Sequence, residues 1–206
     1  MIRTDLAHPW HGIDPGNDTQ QALRMFIEMV PSDTVKYEID KDSGFLILDR
    51  PQKYSNIMPA LYGFIPRTYC SSSVANRCME QTGLKDIEGD GDPIDVVVLT
   101  EREIPHGNIL VNAIAIGGFR MIDGGEADDK IVAVLKNDAM YGSIQDISEL
   151  PEAVVNRLRH YFLTYKGIPG EIQSKTVSIP QVYNREEAIE VINCSRQDYK
   201  TSFEGR

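Results

Sequence analysis

The sequence predicts an α+β fold built around an antiparallel sheet or barrel. Three observations predict it. Strand patterns come mostly first, helical periodicity comes late, and the links between strands carry glycine and acidic turn residues. At 206 residues and 41% hydrophobic content, the chain suits a single domain, 1–206, with a sizeable core. Within it, residues 1–20 form an N-terminal arm, irregular from Ala7 to Asp18, and residues 70–89 form an inserted polar surface loop.

Taken in order, residues 22–30 fit two patterns. Leu23, Met25, Ile27 and Met29 alternate as in a strand, while Leu23, Phe26, Ile27 and Val30 fit a helix face. The next unit is a β-hairpin. Val35, Tyr37 and Ile39 alternate with polar residues, Lys41-Asp42-Ser43-Gly44 turns the chain, and Phe45-Leu46-Ile47-Leu48 returns. Alternation puts Lys36 and Glu38 on one face, opposite Tyr37. Further strands are expected at 94–99, 109–116 and 131–135. A helix is expected from Ser148 to Lys166, where Val154, Leu158, Tyr161, Phe162 and Tyr165 make one apolar stripe that Gly167 and Pro169 end. A last helix begins at Asn184, with Glu187 as its capping partner and Ala188, Val191 and Ile192 facing the core.

Several classes are excluded. No apolar run is long enough to span a membrane, and the N-terminus lacks a signal-peptide layout. The net charge of −10 disfavours nucleic acid and anionic lipid as partners. Cys70, Cys78 and Cys194 have neither zinc spacing nor the pairing of a disulfide framework, which places the chain in a reducing cytoplasm. There is no Walker loop, dinucleotide fingerprint or nucleophile elbow, and Gly117-Gly118 is too short for the first two.

The chemistry concentrates at Asp90-Gly91-Asp92-Pro93-Ile94-Asp95, three carboxylates in six residues before the apolar run Val96-Val97-Val98-Leu99. Like charges this dense need a cation between them, and oxygen donors favour Mg²⁺ or Ca²⁺. An EF-hand frame from Asp86 fails, because Val97 falls where a bidentate Glu is required. A second acidic link, Asp123 to Lys130, supplies more oxygen ligands. Several Mg²⁺ ions, together with Lys36, Arg50, Tyr62, Lys130, Tyr165 and Lys166, suit chemistry on a phosphate anion. A hydrolase of nucleotides and a non-catalytic Ca²⁺-stabilised β module are the rival readings. The first has no base-stacking platform to support it, and the second has no use for the interleaved basic and tyrosine residues.

Asp90 through Val96, with Lys36-Tyr37-Glu38-Ile39-Asp40, Asp49-Arg50, Tyr62-Gly63-Phe64-Ile65-Pro66, Asp123 to Lys130 and Tyr165-Lys166, resembles the soluble, Mg²⁺-dependent inorganic pyrophosphatases of family I. The resemblance runs from about Glu28 to Lys166. It implies a closed, mostly antiparallel OB-like β-barrel with helices packed outside, including a C-terminal helix. It also implies hydrolysis of pyrophosphate to two phosphates by direct in-line attack of an activated water, without a phosphoenzyme. Residue by residue, it implies Asp90, Asp95, Asp123 and Asp128 as metal ligands and Asp92 as the general base. Glu28 and Glu38 become supporting acids, and Lys36, Arg50, Tyr62, Lys130, Tyr165 and Lys166 surround the phosphates. The cofactor would be several Mg²⁺ ions, with Mn²⁺ or another divalent ion possible in their place, and the assembly a homo-oligomer, a hexamer favoured. Met58 departs from the pattern, standing where many members carry a tyrosine near the leaving phosphate. The insert is expected to edge the active-site mouth or a subunit contact, and the tail past about residue 170 to have no catalytic role.

Overall fold

A computed structural model describes residues 7–167 and 176–204. Residues 7–22 form an arm free of helix and strand, followed by β1 (Leu23–Met29). Then come β2 (Val35–Ile39), β3 (Leu46–Pro51), β4 (Leu61–Phe64), α1 (Ser72–Thr82), β5 (Glu88–Gly89), β6 (Asp95–Leu99) and β7 (Ile109–Asp123). β8 (Glu126–Ala127), β9 (Lys130–Leu135), α2 (Glu152–Thr164), β10 (Val177–Asn184) and α3 (Arg185–Tyr199) complete the order.

Five strands close a ring, β1-β4-β6-β9-β7, because β1 pairs with both β4 and β7. Every pair in the ring is antiparallel except β6–β9. This is the OB-like barrel of an α+β fold. β7 can serve four neighbours because it runs for 15 residues: its first part pairs β1, its middle β9, and its end both β10 and β8. The expected strand at 109–116 is only the first half of it. The glycine pair within β7 has a packing role. A Cβ on Gly118 would lie 2.4 Å from the Tyr183 ring of β10, and one on Gly117 would lie 2.6 Å from both Ile147 and the Tyr183 carbonyl.

The apolar strand runs are buried on both faces, which is why they read as continuous rather than alternating. Val96, Val98, Ile131 and Ala133 join a core with Val74 and Cys78 of α1 and Ala188, Val191 and Ile192 of α3. Val97, Leu99, Val132 and Val134 join a second core with Leu158, Tyr161 and Phe162 of α2. Segment 22–30 resolves as strand β1, since pairing on both edges decides between the two periodicities. The expected hairpin is β2–β3. α3 follows Asn184, whose side chain accepts the Glu187 N–H at 3.1 Å. α2 begins later than expected, at Glu152. Residues Ile147–Glu149 form a separate 3₁₀ turn capped by Asp146, and Pro151 starts the helix where its missing N–H costs nothing. Pro169 lies outside the described residues.

One expectation is corrected. The 70–89 insert is not a surface loop, for its centre is helix α1, with Val74, Ala75 and Cys78 buried. The cap that would have marked it is not local. Ser71 makes no side-chain cap, and the orphan N–H groups of Ser73 (2.9 Å) and Val74 (3.2 Å) are taken by Asp198 of α3. Gly83 closes the helix in the left-handed region, its N–H bonded to Met79 O at 2.8 Å. The tail is likewise structural. Glu187 of α3 binds Arg77 of α1 and Arg120 of β7, and Arg120 continues to Asp129 at 2.6 Å.

Arg120 is fully buried, so removing its charge partners or its own charge leaves an uncompensated ion. Arg120→Ala is expected to destabilise the fold by about 3–5 kcal/mol, read as a lower urea midpoint with an unchanged m-value.

Candidate active site

The acidic loop and the strand ends meet at one end of the barrel. Asp95 opens β6 and Lys130 opens β9, and the two residues are partners in the parallel β6–β9 register. The Lys130 ammonium, 2% exposed, pairs with both Asp95 and Asp128. Tyr62 of β4 donates its phenol O–H to Asp95 at 2.6 Å. Asp123 at the end of β7 pairs with Lys166 beyond α2. The hairpin face brings Lys36 into contact with Glu38 and, at 3.4 Å, with Asp49, while Asp49 also pairs with Arg50.

The acidic loop is fixed from beneath by the first residue of the insert. Cys70 N–H bonds to Asp92 O at 2.8 Å, and Gly91 N–H bonds to Cys70 O at 3.0 Å. Gly91 sits at φ 74°, a conformation that suits glycine in this tight turn. Asp90 accepts the Asp92 N–H at 3.0 Å.

Two clefts open here. Glu28, Lys36, Glu38, Tyr62, Asp92 and Asp95 line the first, and Lys36, Arg50, Met58, Tyr62, Tyr161 and Tyr165 line the second. Lys36 and Tyr62 belong to both. None of Asp90, Asp123, Asp128, Lys130 and Lys166 lines either cleft: Lys130 and Asp128 join the first cleft through Asp95, Asp123 and Lys166 pair with each other, and Asp90 forms no ion pair among the described residues.

Most acids here form an ion pair, and among the described residues Asp90 and Glu28 do not. Burial, together with repulsion from Asp128 and Asp95, pushes the Asp90 carboxyl up to about 9. Burial, then repulsion from Asp95, pushes Glu28 up to about 8, although its Oε1 accepts the Ile39 N–H at 2.8 Å. Asp92 is raised by burial and opposed by Lys41. Lys41 is a residue the sequence reading missed. It lies in the hairpin turn, pairs with Asp92, and reaches Gly91 O at 3.3 Å. Lysines in turns are ordinarily solvated, so only the folded contact gives it a place.

The donor set fits a hard divalent cation. It offers carboxylate oxygens only, the Asp90 carboxyl is pushed up by burial and by the Asp128 charge and forms no ion pair among the described residues, and Asp123 Oδ1 is buried with no hydrogen-bond partner. The acids are nevertheless held apart by lysines. Among the described residues, no three His, Cys, Asp or Glu side chains form a ready-made cage. The cysteines have no nucleophilic part: Cys70 and Cys78 are buried, and burial pushes the Cys78 thiol up to about 11.

The family model for inorganic pyrophosphatase matches residues 25–200, well past the expected limit at Lys166. The chain is 48% identical over 208 residues to an inorganic pyrophosphatase of Chlamydia trachomatis serovar L2, covering 98% of this chain and 100% of that one. It is 36% identical over 197 residues to soluble inorganic pyrophosphatase 1 of Arabidopsis thaliana, covering 96% of this chain and 82% of that one. Among solved structures, an inorganic pyrophosphatase from Thermus thermophilus superposes with a TM-score of 0.78 at 28% identity, covering 94% of this chain and 99% of that one.

Because Glu28 is protonated more readily in the folded chain than in the unfolded one, it binds more protons in the fold. Its contribution is therefore most favourable below the ordinary carboxylate range and declines as pH rises toward about 8. Glu28→Gln keeps the carbonyl acceptor and removes that dependence. Relative to the unsubstituted protein, the variant is expected to gain on the order of 2 kcal/mol at pH 8.5 and little at pH 4.5, read by thermal melts at both values.

Proposed function

The chain belongs to the inorganic pyrophosphatase family, and on that premise we propose how its residues carry out the reaction. The activity is hydrolysis of pyrophosphate to phosphate, and the family uses divalent metal ions. Asp90, Asp95, Asp123 and Asp128 would hold the ions, with Mg²⁺ the best match to an all-oxygen donor set. When bound, such ions neutralise phosphoryl oxygens and make water more acidic.

The chain's own groups do the rest. Asp92, lining the first cleft beside Asp95, accepts the proton of the attacking water. The new P–O bond forms in line as the bridging P–O bond breaks, and the second phosphate leaves without a covalent enzyme intermediate. Lys36, Arg50, Tyr62, Lys130, Tyr165 and Lys166 orient and neutralise the two phosphoryl groups, and Glu28 and Glu38 support the acidic wall. The observation that carries this reading is the interleaving of acids and cations at one barrel end. An anionic substrate displaces carboxylates from lysines that are already in place.

The chain works as one domain and as a homo-oligomer, a hexamer favoured, in the cytoplasm. Three free cysteines, two of them buried, support a reducing compartment. Among the described residues no helix is long and apolar enough to cross a membrane.

Phosphate release from pyrophosphate is expected to require Mg²⁺ and to stop with a chelator. Asp92→Asn is expected to lower kcat by about 10²–10⁴-fold while calorimetry shows Mg²⁺ binding largely retained. Near-normal turnover of that variant would remove Asp92 from the role of base.

A further inference from the structure

The second cleft holds one phenol with no assigned part. Tyr161 of α2 stands one helical turn before Tyr165, so both rings lie on one helix face, stacked at 5.1 Å between centroids and 11° from parallel. It lines the same recess as Lys36, Arg50, Tyr62 and Tyr165, the groups around the phosphates. Met58, fully buried, lines that recess too. A thioether is a weak acceptor and donates nothing, so the Met58 side of the recess supplies no proton to an anion.

Tyr161 is equipped to supply one. Its hydroxyl accepts from Gln52 Nε2 at 3.4 Å, a long contact, which leaves its own hydrogen free to donate. Among the described residues that hydrogen has no acceptor. Burial raises the phenol, so it keeps its proton at neutral pH, while Arg50 and Lys36 act on it from the same recess and oppose that rise. A buried hydroxyl with an unspent donor, beside two cations in a phosphate recess, is suited to an oxyanion.

We propose that Tyr161 is a substrate-binding residue, its phenol donating to a phosphoryl oxygen in the second cleft, whose Met58 side has no donor of its own. The inference rests on the reading of this cleft as a phosphate subsite.

Tyr161→Phe removes only the hydroxyl and keeps the ring packed against Phe162 and Tyr165. The variant is expected to keep its melting temperature and its affinity for Mg²⁺ alone. It is expected to bind orthophosphate about tenfold or more weaker, with kcat/KM for pyrophosphate falling by a similar factor, as loss of a hydrogen bond to a charged group requires. Adding Met58→Tyr to Tyr161→Phe is expected to restore phosphate affinity to within about threefold, since the two positions serve one subsite. Phosphate affinity and kcat/KM within twofold of the unsubstituted protein would overturn the proposal, as would an equal loss of Mg²⁺ affinity. A folded double variant with no recovery would overturn the placing of positions 58 and 161 on one phosphate subsite. Arg50→Met and Lys36→Met identify which reading has failed. If they lose phosphate binding while Tyr161→Phe does not, this inference alone falls. If none of the three loses it, the phosphate subsite itself is misplaced.

Discussion

The parallel register of β6 and β9 sets Lys130 against Asp95, and the arrangement of the site depends on that pairing. A lysine ammonium that is 2% exposed is unfavourable to bury alone, and a row of aspartates at one barrel end is unfavourable to bury together. Each makes the other tolerable. Lys130 takes both Asp95 and Asp128, and Tyr62 adds its hydroxyl to Asp95, so one residue ties together the starts of two strands and the link before the second. A slip of one residue between these strands would send Lys130 to the opposite face and leave the acids facing one another.

Beneath this layer lies a second set of buried charges that gives the first a rigid base. Asp129, the neighbour of Asp128 and Lys130, is bound by Arg120, which also reaches Glu187, and Glu187 binds Arg77. These contacts join β7, the link before β9, α3 and α1. Asp198 adds the cap that starts α1, and Cys70, just before that helix, bonds to the acidic loop in both directions. The tail past residue 176 therefore supports the site without lining either cleft.

The pairing has a chemical consequence. The carboxylates proposed for metal and proton transfer are held by Lys41, Lys130 and Lys166, cations that would also attract a phosphoryl anion. On the proposed reading, the groups that would meet substrate are already in place, so little reorganisation would be required when the reaction begins. Asp90 and Glu28 form no ion pair among the described residues, and the more distant Lys130 and Lys36 only partly offset the rise that burial imposes on them.

Much of the fold was legible in the sequence because its signals are local. The β2–β3 hairpin announced itself by alternation and a turn, α3 by Asn184, and the acidic loop by the density of Asp90, Asp92 and Asp95. α1 was misread as a loop because its cap, Asp198, lies more than a hundred residues away. β10 and the second half of β7 went unseen because their pairing rests on two glycines packed against distant residues, Gly118 on the Tyr183 ring and Gly117 on Ile147 and the Tyr183 carbonyl. Lys41 and Tyr161 escaped notice for the same reason, one reading as a turn lysine and the other as part of an apolar stripe. The sequence by itself determined which residue types were present to hold metal and phosphate, since composition and spacing are properties of the chain. Only the tertiary structure decided which charge neutralises which, because that depends on strand register and on contacts between residues far apart in sequence.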